Sequence, residues 1–203
     1  MTADILAELK SRTAELHRDI EAVVPLMDPA LTLERYAEYL AHLYPWYGAV
    51  EARLSAIAGL RAVAPDIDTR WKTEILARDL RALGRPAETD IDLSRVPDLR
   101  SIPQALGCLY VLEGSTLGAQ ILVRAVRSSL GAEVAGKTRF LAGYEENTAL
   151  RWRRLCLSLS SFLTRADNQE IAVLTARATF SGLHEWLLRR QSFSEAEKEL
   201  IAR

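Results

Sequence analysis

The chain has 203 residues, 49% of them hydrophobic, with a formal net charge of −1 and a pI near 6.3. That length and apolar share suit a single domain over residues 1–203 with a sizeable core, and the near-neutral charge excludes a global basic field for nucleic acid or anionic lipid. Two cysteines, Cys108 and Cys156, are too few for a disulfide framework and read as small core residues in a reducing compartment.

The first residues, MTADILAELKSRTAELH, carry charge from Asp4 onward and lack an apolar centre, so no signal peptide is expected. They open a helix instead. Leu6, Leu9, Thr13, Leu16, Ile20 and Val23 recur at steps of three and four, and Pro25 and Pro29 end the pattern. A second stripe, Tyr36, Leu40, Leu43, Tyr47, Val50, Leu54 and Ile57, predicts a helix over about 32–60, kinked at Pro45. A third helix is expected over 67–83, stopped by Gly84 and Pro86.

Residues 84–100 read as a loop. Ser101 is a candidate N-cap with Pro103 in the first turn, and the helix they open runs to Leu130 and Gly131. Another helix is expected over 147–164, with Trp152, Leu155, Leu159 and Phe162 on one face. DNQE at 167–170 reads as a capping box, with Asp167 as the cap, for a helix to about Arg190, and SEAE at 194–197 as the start of a short last one. No alternating strand pattern is visible, and no run is expected to reach the roughly 18 apolar residues of a membrane span. The fold class is all-α, in the cytoplasm, with no membrane and no nucleic-acid partner.

Chemistry must come from few residues. Of the three histidines, His17 borders the apolar stripe of the first helix; His42 sits in an aromatic neighbourhood and His184 has no evident partner. An imidazole placed like His17 is either hydrogen-bonded at a helix interface or an axial ligand, as imidazole is for haem iron. No HExxH or paired ExxH supports zinc or a di-iron site, and no G-x-S-x-G or phosphate loop is present. The remaining anomaly is EGSTLGAQ at 113–120, inside an apolar helical run. Each interior glycine costs a helix roughly 0.5–1 kcal/mol relative to alanine. Gly114 and Gly118 lie on one face beside Ser115. They either let another helix approach or make room for a flat ligand, and they mark a bend. An imidazole on one helix and bare backbone on another could hold a planar ligand between them, haem being the obvious one.

SRTAELHRDIE at 11–21, LYVLEGSTLGAQIL at 109–122 and ARATFSGLHEWL at 176–187 together resemble the haem oxygenases, most closely the bacterial biliverdin-forming branch found beside bacteriophytochromes. The resemblance implies a single-domain helical bundle with haem between the first helix and a kinked distal helix. It implies His17 as the proximal iron ligand and Gly114, Ser115 and Gly118 as the distal wall. Ala119 stands where many members have a second glycine, and Ser115 where the better-known members have an aspartate that organises distal water. Tyr110 is placed at the haem edge, Phe180 as an aromatic wall, and Lys10, Tyr144 and Arg153 as partners of the propionates. The implied reaction cleaves haem (heme b, both cofactor and substrate) to biliverdin, carbon monoxide and ferrous iron. It consumes O₂ and electrons from a reductase or ferredoxin, and a bacteriophytochrome could receive the product. A histidine ligand gives iron less electron density than a thiolate and so disfavours cytochrome P450-like O–O cleavage. The competing readings are a haem-binding or transport protein of this fold without turnover, a helical scaffold in which His17 is buried, and an unrelated small-molecule enzyme on a similar fold.

Overall fold

A computed structural model describes residues 4–87 and 93–201, with side chains to Arg189. Among them are eight α-helices and no strand: α1 Ile5–Val23, α2 Leu33–Ser55, α3 Leu60–Val63, α4 Thr73–Ala82, α5 Ile102–Leu130, α6 Arg139–Ala142, α7 Thr148–Phe162 and α8 Ala166–Ile201. Short 3₁₀ turns connect several of them.

Most boundaries follow from local chemistry. The Asp4 carboxylate accepts the Leu6 N–H and starts α1, Thr32 accepts from Arg35 at α2, and Ser101 accepts from Gln104 at α5. Gly131, at φ 52°, closes α5. Other boundaries are set at long range. The segment expected to be helical from Ile67 forms a 3₁₀ turn at Ile67–Thr69, and α4 begins only at Thr73. There the carboxylate of Glu51, from α2, accepts the backbone N–H groups of Lys72 and Thr73. The last two expected helices are one: α8 runs from Ala166 through Ile201, so Asp167 lies within its first turn and SEAE continues it.

α5 is the centre of the molecule. It packs along α8, which also lies along α1, so α8 holds the two helices of interest in register. α5–α8 contact is backbone to backbone: a Cβ at Gly107 would run into the Ala172 carbonyl. Buried Leu9, Trp46, Leu80, Leu106, Leu159 and Val173 belong to one contiguous core drawn from α1, α2, α4, α5, α7 and α8. Contrary to the sequence expectation, α5 and the turn after it are, by length and composition, apolar enough to cross a membrane; 56% of the most apolar 18-residue window is buried inside the fold, as suits a core helix.

α5 is continuous through Gly114 and Gly118. The expected kink is therefore not a break in the helix. Its local cause is still present: the hydroxyls of Ser115 and Thr116 both donate to the Leu112 carbonyl, at 2.8 and 3.0 Å, a pattern that bends helices.

Candidate functional site

His17 stands on the surface of α1 with 53% of its side chain exposed, which removes the reading of a buried interface imidazole. Its Nδ1 lies 3.4 Å from Oε2 of Glu21, one turn on. With Nδ1 turned to a carboxylate, Nε2 is the nitrogen able to take a metal. Phe180, buried on α8, meets the imidazole edge to face, with ring centroids 5.8 Å apart at 69°.

The glycines of the distal motif divide cleanly from those that pack helices. A Cβ at Gly118 would meet nothing within 4 Å, and one at Gly114 only the rim of the Trp152 ring at 3.7 Å. Gly107 and Gly182 are pressed against the carbonyls of Ala172 and Arg95, and a Cβ at Gly143 would fall 2.6 Å from Thr116 Cγ2. Close packing thus explains Gly107, Gly143 and Gly182 but not the pair at 114 and 118. Ser115, Leu117 and Ile121 are exposed with them, giving an open and largely apolar strip of helix. Ala119 is not on that strip; it is buried in the core, so a second glycine there would not bring the backbone closer to a ligand on the open face.

Tyr110 links the two helices. The Thr13 side chain on α1, one turn before His17, acts on its hydroxyl, and its ring lies 5.6 Å from that of Trp152. Burial raises the pKa of the hydroxyl, which keeps its proton. Lys10 is exposed on α1, two turns before His17, and Arg153 is exposed on α7 beside Trp152. Tyr144 is not brought to them. Its hydroxyl donates to Glu113 Oε1 at 2.8 Å, and burial followed by the Glu113 charge raises its pKa.

Glu113 belongs to a buried polar cluster behind the distal motif that the sequence did not reveal. Its carboxylate pairs with Arg70 and lies 3.6 Å from the Lys72 ammonium, which also donates to Thr116 Oγ1. Arg70 is held in turn by Asp66 at 2.9 Å. Burial pushes the Lys72 pKa down, while Glu113 and Glu51 oppose the shift. These side chains fix the back of α5 and leave its glycine face open. The spacing of Glu21 after His17 was visible in the sequence; nothing local placed residues 66–72 behind α5. A groove of about 600 Å³, lined in part by Arg53, Arg95, Arg100 and Gly182, contains neither His17 nor the distal glycines.

Comparison with known proteins places the sequence and the fold among the heme oxygenases. Residues 3–189 match the family model described as Heme oxygenase. Heme oxygenase PigA of Pseudomonas aeruginosa is 27% identical over 177 residues, covering 87% of this chain and 88% of that protein. A heme oxygenase of Xanthomonas campestris is 31% identical over 118 residues, or 58% of this chain and 68% of that one. The NO- and CO-bound heme oxygenase of Neisseria meningitidis shares the fold with a TM-score of 0.79 at 24% identity, over 92% of this chain and 91% of that one. The heme oxygenase of Leptospira interrogans does so with a TM-score of 0.70 at 15% identity, over 91% and 98%.

Proposed function

The chain belongs to the heme oxygenase family, and from that premise we propose how its own residues carry the reaction. The protein is a haem oxygenase, opening haem at a meso carbon to give biliverdin, carbon monoxide and ferrous iron with O₂ and electrons from a separate reductase. Its residues fit the substrate: an exposed imidazole on α1, backed by a carboxylate, and on α5 a strip where helix backbone lies bare. Bound haem supplies both the iron at which O₂ is reduced and the ring that is cut.

His17 holds the iron through Nε2. Glu21 fixes the orientation and tautomer of the imidazole. Phe180 walls the His17 side. Gly114 and Gly118 let a planar ligand lie against the helix with no side chain above its centre, while Leu117 and Ile121 offer apolar contact beside it. Ser115 is the polar group of that strip and orients water there. Lys10 and Arg153 meet the propionates. Tyr144, whose hydroxyl is engaged by Glu113, supports α5 from behind. The observation that carries this reading is the empty space over Gly118, set against the tight packing at Gly107 in the same helix.

The reductase or a ferredoxin is the electron partner. Biliverdin is a bilin, the ligand class a bacteriophytochrome takes up, and the motifs at 11–21 and 109–122 resemble the branch found beside such photoreceptors. Two free cysteines suit the reducing cytoplasm.

Purified protein mixed with hemin develops a Soret band, and a reductant under air converts it to the broad visible absorbance of biliverdin. A Soret band that survives those conditions would identify a haem carrier instead.

A further inference from the structure

Behind α5, on the side away from Gly118, lies a cavity of about 440 Å³ walled by α4, the end of α5 and the segment 136–145. Gly143 sets that segment against the back of the helix, where an added Cβ would fall 2.6 Å from Cγ2 of the buried Thr116. Three guanidinium groups line the cavity, those of Arg78, Arg127 and Arg139, against one carboxylate, that of Glu145. Arg78 is paired with Glu74 at 3.2 Å. Arg127 and Arg139 have no carboxylate within ion-pair distance among the described residues; Asp79 acts on Arg139 only at longer range. Like charges gathered in one concavity repel, and an anion between them removes that cost.

The wall that carries these groups is pinned from several sides. The Tyr36 hydroxyl donates to the Lys137 carbonyl at 2.8 Å, Oδ2 of Asp79 accepts the Phe140 N–H at 2.8 Å, and the Gln120 amide donates to the Ala142 carbonyl at 2.9 Å. Arg127 is oriented by the buried Thr138, whose Oγ1 accepts from its Nε at 3.2 Å and from its Nη2 at 3.0 Å. Those two bonds use the side edge of the guanidinium. Its end fork, the geometry that grips two phosphoryl oxygens, is left for a ligand. The larger groove at Arg53, Arg95 and Arg100 differs in this respect. There Arg95 pairs with Glu185, Arg100 pairs with Asp98, and Arg53 donates to the Val96 and Pro97 carbonyls, so the protein already answers its cations.

We propose that this cavity binds the phosphate or diphosphate group of a small soluble molecule. The end fork of Arg127 and the guanidinium of Arg139 hold its oxygens, and Ile75 and the Tyr144 ring lie against its carbon part. The volume is within the range of small-molecule sites. Tyr144 also donates to Glu113 at 2.8 Å, so an occupant touches the support of α5 without reaching the open glycine face. The site is separate from the one assigned to haem and stands whether or not haem is cleaved there.

The test titrates pyrophosphate into the full chain by calorimetry, with and without hemin, at about 0.15 M salt, where loose attraction between exposed charges is screened. One pyrophosphate binds per chain in both cases. Arg127→Gln and Arg139→Gln each weaken it about 10-fold or more, the loss of one charge-assisted hydrogen bond. Both residues are exposed, so each variant melts as the unmodified protein does and keeps its Soret band. Absence of saturable binding overturns the proposal, as does an affinity that either variant leaves unchanged. Displacement of pyrophosphate by hemin overturns it too, because the anion would then sit on the propionate partners Lys10 and Arg153. Retention on phosphatidic acid vesicles without binding of free pyrophosphate would assign the cavity to a lipid headgroup and overturn the soluble ligand.

Discussion

Nδ1 of His17 and Oε2 of Glu21 lie 3.4 Å apart on successive turns of α1, both more than half exposed. In water such a pair adds little to stability. Its weight falls on the ligand, because a carboxylate on Nδ1 makes Nε2 a stronger donor. Glu21→Gln therefore leaves the melting temperature unchanged, weakens haem binding roughly 10-fold and raises the iron reduction potential. Hemin titration and spectroelectrochemistry read both; an unmoved potential would make the contact incidental.

Removing the imidazole itself is the stronger perturbation. His17→Ala lowers turnover by about 100-fold or more, a loss of about 3 kcal/mol in the barrier, with little change in fold because the side chain is exposed. Added imidazole restores part of the Soret intensity. Full activity in the variant would place the iron ligand elsewhere.

The two kinds of glycine in α5 give opposite signs. Gly118→Ala meets open space and stabilises the haem-free protein by about 0.5–1 kcal/mol through helix propensity alone, yet it narrows the space above the ligand and reduces biliverdin yield. Gly107→Ala drives a methyl into the Ala172 carbonyl and destabilises by about 1–3 kcal/mol or more. Denaturant melts of the two, beside turnover assays, separate packing from function. A Gly118→Ala variant that loses stability would contradict the open face.

Asp79 supplies a pH signature. It is buried, its Oδ2 accepts the Phe140 N–H, and its Oδ1 has no hydrogen-bond partner. Burial raises its pKa above the ordinary aspartate value, against the pull of the Phe140 and Arg139 N–H groups. The folded state thus holds this proton more tightly than the unfolded chain. The stability linked to it is full below about pH 4, the unfolded pKa, and is lost as pH rises through the folded pKa. Asp79→Asn does not titrate, so its stability relative to the unmodified protein improves from pH 4 towards pH 7. Thermal melts across that range measure the difference; a gap that stays constant removes Asp79 as the source.

Much of this was legible because it is local. Ser101, Pro103 and Gly131 bound α5 by their own side chains and backbone preferences, and the spacing of His17 and Gly118 needed no tertiary knowledge. What stayed hidden depends on where distant segments come to rest. Glu51 starts α4 from another helix, Lys72 and Arg70 reach the back of α5 across more than forty residues, and Glu113 claims the Tyr144 hydroxyl. The resemblance set Ala119 at the position of a second ligand-facing glycine; a helix turns 100° per residue, and that rotation carries it into the core.

The strip formed by Gly118, Leu117 and Ile121 is open in the haem-free protein; on the proposed reading substrate covers it, and catalysis destroys the substrate. Each turnover hands the protein back to water with that strip wet and without the binding energy that held the haem-loaded form together. A haem-loaded molecule therefore resists proteases longer than a haem-free one. Cellular amounts of the protein would then follow the substrate even at constant synthesis.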